Sequence, residues 1–231
     1  MNRKKESIRA VRKKVNELLN SPNIEPALEK LLQIPLRQAI NSLLSFLYHE
    51  EPIIKWRAVT AMGAVVSRLA WEDIEAARVV IRRLMWNLND ESGGIGWGSA
   101  EAMGEILASH DALAKEYVTI LLSYAREDGN FQEHKYIQRG VLWAIGRVSQ
   151  TRPELLKETA PAYIMPYLNS TDATIRGIAA WVIGMLDPEK ARSELEALGT
   201  DENQVQIYLD HNLIKCLVKD LAVEALAKLD K

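Results

Sequence analysis

Four stretches superpose without a gap: Trp56-Arg-Ala-Val-Thr-Ala-Met-Gly63, Trp97-Gly-Ser-Ala-Glu-Ala-Met-Gly104, Arg139-Gly-Val-Leu-Trp-Ala-Ile-Gly146 and Gly177-Ile-Ala-Ala-Trp-Val-Ile-Gly184. A weaker fifth copy, Asp220-Leu-Ala-Val-Glu-Ala-Leu-Ala227, puts alanine where the others have glycine. The marker positions lie 41, 42, 38 and 43 residues apart. Periods of that length belong to two-helix solenoid repeats.

Each copy has a small or slender residue two before the marker: Ala61, Ala102, Ala144, Val182 and Ala225. A bulky one stands just before it (Met62, Met103, Ile145, Ile183, Leu226), and another apolar residue two after it (Val65, Ile106, Val148, Leu186, Leu229). These positions share one face of a helix. A mid-helix glycine costs about 1 kcal/mol relative to alanine. Its return at one phase points to neighbouring helices that approach closely.

An amphipathic stretch precedes each copy, at 39–48, 74–88, 113–125, 153–168 and 188–198. These are the expected first helices of the pairs. Thr151 with Glu154 has capping-box spacing, and Asp187 before Pro188 reads as an N-cap followed by a first-turn proline. Residues 1–19 read as a basic amphipathic helix that Ser21-Pro22 ends, and residues 1–35 form an N-terminal segment ahead of a single repeat array over 36–231. Val205-Gln-Ile-Tyr-Leu209 alternates as a strand does, and Asp210-His211-Asn212 reads as a turn, so a small hairpin is expected before the last helix. The expected fold is an all-α, right-handed α-solenoid of about five helix pairs, with extra N-terminal helices and a hairpin-like insertion in the last repeat.

In these motifs the chain resembles the HEAT-repeat superfamily and, more narrowly, the bacterial phycobilisome-lyase-type HEAT-like repeat proteins. The resemblance covers about residues 36–229. It implies a binding scaffold or, alternatively, a cofactor-handling lyase or chaperone-like protein that seats a tetrapyrrole against a partner's cysteine.

The bulk properties narrow the partners. With 29 basic and 31 acidic residues the net charge is −2, which supplies no global attraction to nucleic acid or to an anionic membrane. The single cysteine, Cys216, excludes an intramolecular disulfide framework and fits a reducing compartment. No secretory signal and no membrane-length apolar run is visible, so a cytoplasmic location is expected. Cys216 reads as inert core of the last helix, and no nucleophile-elbow motif occurs.

In a solenoid the second helices line the concave wall. The row beside the core, seven and three before the marker and one after it, holds Trp56, Trp97, Glu101, Glu105, Arg139, Trp143, Arg147 and Trp181. Tryptophan and arginine are enriched at binding hot spots, so this row is the expected groove for a protein or peptide partner. Two opposing expectations accompany it: Trp143 and Trp181 packing into the core, and the charged members pairing across repeats.

Two long polar loops flank the row. One, 87–98, carries Asp90, Glu91 and four glycines; the other, 126–135, carries Asn130, Glu133 and His134. The glycines do not make a P-loop, because the Gly-Lys-Ser/Thr ending is missing. A di-iron site of the deoxyhypusine hydroxylase kind needs recurring His-Glu pairs. Here His49-Glu50 stands alone and Glu133-His134 is reversed, so no metal and no cofactor is expected. A groove of the alkylpurine DNA glycosylase kind is strongly basic, whereas this chain is mildly acidic and its row carries Glu101 and Glu105, so nucleic acid is not the expected partner.

Overall fold

The computed structural model describes residues 7–90 and 96–229. The fold is an all-α solenoid with one small hairpin. Its contacts divide the chain into two compact units, Met1–Ala102 and Met103–Lys231. The division falls inside a repeat helix.

The first unit contains α1 (Ile8–Leu19), α2 (Ile24–Leu31), α3 (Leu36–Leu44), α4 (Pro52–Glu72), α5 (Ile74–Leu88) and the first turn of α6 (Ser99–Ser109). In α1, Ser7 caps the N-terminus by accepting from the Ala10 N–H, and Val11, Val15 and Leu19 bury one stripe. Expected helix 74–88 and α5 coincide residue for residue, because Asp73 caps it at the Ala76 N–H and Asn89 closes it. Expected helix 39–48 instead begins at Leu36, directly after Pro35, and gives way to turns after Leu44. Pro52 starts α4 at a position where a missing N–H costs nothing.

The second unit continues α6 and adds α7 (Asp111–Ser123), α8 (Lys135–Thr151), α9 (Ala160–Ile164), α10 (Ala173–Leu186), α11 (Arg192–Leu198), β1 (Gln204–Leu209), β2 (Asn212–Leu217) and α12 (Val218–Leu226). The expected helix 153–168 is broken. A 3-10 turn over Pro153–Leu155, the short α9 and a second 3-10 turn over Met165–Asn169 replace it. Pro153, Pro161 and Pro166 each remove a backbone donor, so no continuous ladder can form. The Thr151–Glu154 capping box is also corrected. Thr151 is the last residue of α8, and its hydroxyl donates backwards to the Val148 carbonyl at 3.3 Å. Asp187 does accept from the Lys190 N–H, at 3.4 Å, ahead of the turn that leads into α11.

The hairpin forms where alternation predicts it. β1 and β2 pair antiparallel with Val205 opposite Cys216 and Ile207 opposite Ile214. Asp210 and His211 both take positive φ (46° and 65°), which a two-residue turn joining twisted strands requires. Cys216 therefore lies half-exposed on β2 and not in the core of the last helix, and burial pushes its thiol pKa up.

The repeat glycines and the small residues are the two sides of one contact. A Cβ on Gly104 would lie 2.5 Å from the Ala144 Cα, and one on Gly184 would lie 2.6 Å from the Ala225 Cβ. At these two markers the glycine of one repeat faces the small residue of the next. Gly146 does something different: the ring of Trp181 fills the space that a methyl group there would need. In the first four copies the three core positions are buried, while Leu226 and Leu229 of the terminal copy are only half-buried.

Candidate binding surfaces

The eight residues of the expected groove are divided between the two units. Trp56, Trp97 and Glu101 belong to the first unit. Trp56 is half-buried, and its ring lies 5.0 Å from the Lys55 ammonium. Lys55 bonds Glu101 at 2.6 Å, and both side chains are almost fully buried. Trp97, 39 % exposed, precedes α6 in a turn whose Gly98 has φ +76° and packs on Leu47 too closely for a side chain. Only glycine tolerates that combination.

Glu105, Arg139, Trp143, Arg147 and Trp181 belong to the second unit. Here the two tryptophans are core residues, 2 % and 8 % exposed, and not groove-facing contacts. The Trp143 indole N–H donates to the Tyr208 carbonyl on β1 at 2.8 Å, and Trp181 covers Gly146. The charged members bridge neighbouring elements. Arg147 grips Glu105 with two bonds at 2.8 and 3.1 Å, and Arg139 makes a two-pronged pair with Asp172, the N-cap of α10. Arg176 extends the series to Asp201, at 2.6 and 2.8 Å, ahead of the hairpin. Arginine's planar fork suits the bidentate pairs of Arg139 and Arg147, whereas Arg176 places both nitrogens on one Asp201 oxygen. Lys55, Asp172, Arg176 and Asp201 lie outside the expected row, although Lys55 and Arg176 share one repeat position, eight before the marker.

The Asp172 carboxyl feels opposing influences. Burial raises its pKa, but the Arg139 guanidinium and the Ile175 N–H outweigh that and hold it below 3.8. A carboxylate depressed on folding stabilises the native state above its unfolded pKa, and that contribution disappears as pH falls through the folded value. We expect the melting temperature to drop below about pH 4, followed by circular dichroism, and the drop to be shallower in Asp172→Asn. Equal pH profiles for the two proteins would refute an Asp172 contribution.

Of the loop candidates, Glu91 lies outside the described residues, and Asp90 is half-buried. The 126–135 loop is folded on itself. Arg126 pairs with Asp128 at 2.8 and 3.0 Å, and Asn130 donates to the Ser123 hydroxyl at 2.9 Å. His134 caps α8 by accepting from the Tyr136 N–H, while Glu133 is exposed. Among the described residues no three His, Cys, Asp or Glu converge as metal ligands would.

Beside this loop, within the second unit, lies a cleft of about 500 Å³. Phe131, Tyr163 and Tyr167 give it an aromatic wall beside Pro166, and Glu127 and Gln138 supply polar groups. The Arg126 guanidinium stacks 4.4 Å over the Tyr163 ring. Tyr167 is anchored by its hydroxyl, which donates to the Ala125 carbonyl at 2.8 Å. Burial, helped by the negative charge of Glu127, pushes the Tyr167 pKa up to about 12, so the phenol keeps its proton. The sequence gives little notice of this cleft, because its walls come from segments some 35 residues apart that carry no repeat signature.

The architecture defines the class: an all-α solenoid. Residues 135–186, from α8 through α10, match the HEAT-like repeat family. An uncharacterised protein of Archaeoglobus fulgidus is 24 % identical over 192 residues, which cover 80 % of this chain and 93 % of that protein. Among solved structures, a designed armadillo repeat protein in complex with the peptide (KR)4 is similar over 94 % of this chain and 98 % of its own, at 18 % identity and a TM-score of 0.54. A computationally designed armadillo repeat protein for modular peptide recognition matches 95 % of this chain and 98 % of its own, at 18 % identity and a TM-score of 0.50. No helix among the described residues is long and apolar enough to cross a membrane.

Proposed function

We propose that this protein is a non-enzymatic scaffold that holds an extended segment of a partner protein, and that the aromatic cleft of the second unit is its principal seat. The cleft carries the reading, because it is concave, partly aromatic and unfilled by the chain's own side chains. Such surfaces accept the stems of long side chains while an acidic rim takes up their charge. The residues at 103–231 count 14 basic against 19 acidic, and Glu127 stands exposed at the cleft. A segment bearing lysine or arginine is the complementary occupant. The half-exposed guanidinium groups of Arg139 and Arg147 are proposed as secondary contacts to its backbone carbonyls. The narrower resemblance to phycobilisome-lyase-type repeats enters this reading only through the shared repeat.

The Lys-Arg repeat peptide (KR)4 is a suitable probe, with a glutamate-rich peptide as control. We expect it to bind the wild-type protein, and Glu127→Lys and Tyr163→Ala each to weaken binding by about tenfold, the effect of losing about 1.4 kcal/mol at a hot spot. Fluorescence anisotropy reads the affinity and circular dichroism confirms folding. Absence of binding, or equal affinity for both variants and the wild type, would overturn the assignment.

A further inference from the structure

The near-neutral total charge conceals an uneven distribution. Residues 1–102 carry 15 basic and 12 acidic side chains, whereas the rest of the chain is acidic. The basic excess has a location. In the first unit α1 packs on α3, and two shallow hollows open on this side, one between α1 and α3 and one between α3 and α5. One is lined by Ile8, Val11 and Arg12 of α1 with Gln38 and Asn41 of α3. The other is lined by Arg37 and Asn41 of α3 with Val79 and Arg83 of α5. Asn41 borders both, so the surface is continuous.

On α5 the inward stripe is Ala77, Ile81, Leu84 and Leu88. The opposite stripe runs Glu75, Val79, Arg82 and Trp86 at steps of four, three and four, and Glu75 is already held by Arg82 and Arg78. Trp86 is 70 % exposed, and Trp71 at the end of α4 is 78 % exposed. Tryptophan is normally well buried, and its amphipathic ring is at home where an apolar phase meets water. Val79 and Ile8 are exposed on the same surface, while Arg12, Lys13 and Lys14 of α1 face solvent.

We propose that this α1–α3–α5 surface docks on an anionic lipid bilayer. Arginine and lysine meet the headgroups, and Trp86, Val79 and Ile8 enter the interfacial layer. The pattern favours lipid over nucleic acid. Single-stranded nucleic acid gains from flat rings and cations but not from exposed valine and isoleucine, whereas a bilayer interface uses all of them. No transmembrane helix is needed, because basic clusters of this size hold peripheral proteins to acidic leaflets.

The test is co-sedimentation of the full chain with phosphatidylcholine vesicles containing about 30 % phosphatidylserine, within the acidic range of cytoplasmic leaflets. Binding is expected at low salt, with release at high salt and a blue shift of tryptophan emission that is diminished in Trp86→Phe. Each basic residue near such a leaflet contributes on the order of fivefold in affinity, so the triple variant Lys13→Ala, Lys14→Ala, Arg83→Ala should bind about a hundredfold more weakly. All three side chains are exposed, and an unchanged melting temperature will show that the variant folds. Failure to bind acidic vesicles, equal binding to pure phosphatidylcholine, or binding to single-stranded RNA in preference to acidic vesicles would each overturn the proposal. Peptide binding at the second-unit cleft is read separately and does not depend on the outcome.

Discussion

Trp143→Ala is expected to destabilise the protein by about 3–5 kcal/mol, the range for truncating a buried large aromatic. Domains have only about 5–15 kcal/mol in hand, so the loss is a large fraction of the whole. The ring sits in the second unit with 2 % of its surface exposed, beside Tyr208 at a centroid separation of 6.2 Å. Truncation leaves a cavity and also removes the indole donor from the Tyr208 carbonyl. Trp143→Phe separates the two effects. It keeps most of the apolar volume and removes only the N–H, so about 1–2 kcal/mol is expected from loss of that buried hydrogen bond. Urea unfolding followed by far-UV circular dichroism measures both, and an unchanged m value keeps the comparison valid. If Trp143→Ala unfolds within about 1 kcal/mol of the wild type, below the usual cost of core truncation, the ring is not a core anchor.

That residue also shows how far the sequence can be read. The marker glycine gives the phase of every second helix, and the structure adds the reason: Gly104 faces Ala144, and Gly184 faces Ala225. Both members of each contact were visible as repeat positions. The same phase led to a groove row that included Trp143 and Trp181, and two non-local facts undo that placement. Gly146 leaves room for the Trp181 ring where Gly104 and Gly184 receive a small residue. The hairpin, 65 residues along, presents a carbonyl to Trp143. Periodicity reports which side of a helix an amino acid occupies but not what an insertion lays over it. The broken first helix at 153–168 is a different failure, since Pro153, Pro161 and Pro166 were in view and an amphipathic pattern outweighed them. Cys216 was misplaced for a related reason: the second strand of the hairpin lacks the clean alternation of the first, with Leu213-Ile214 adjacent. The aromatic cleft joins a loop to a 3-10 turn, and neither has a periodicity to extrapolate.

Removing one partner of the Lys55–Glu101 pair is expected to cost as much as removing Trp143, about 3–5 kcal/mol, because it leaves an uncompensated charge in the core of the first unit. The two side chains are 7 % and 5 % exposed and 2.6 Å apart, and the Trp56 ring closes over the ammonium. Lys55→Met should therefore be far more damaging than loss of the exposed Arg68–Glu72 pair, for which about 0.5 kcal/mol is the expected scale. The double variant Lys55→Met, Glu101→Leu has a different expectation. Taking two charges out of water costs several kcal/mol per ion, and well-packed apolar residues of similar volume avoid that cost. The double variant should recover most of the lost stability, so the two single effects will not add. Salt gives an independent check: a dry pair is screened little, so raising ionic strength should leave the Lys55–Glu101 coupling nearly unchanged while erasing that of the surface pair. Additive single effects, or a coupling that vanishes in salt, would mean that water reaches the pair and that it does not lock α4 to α6.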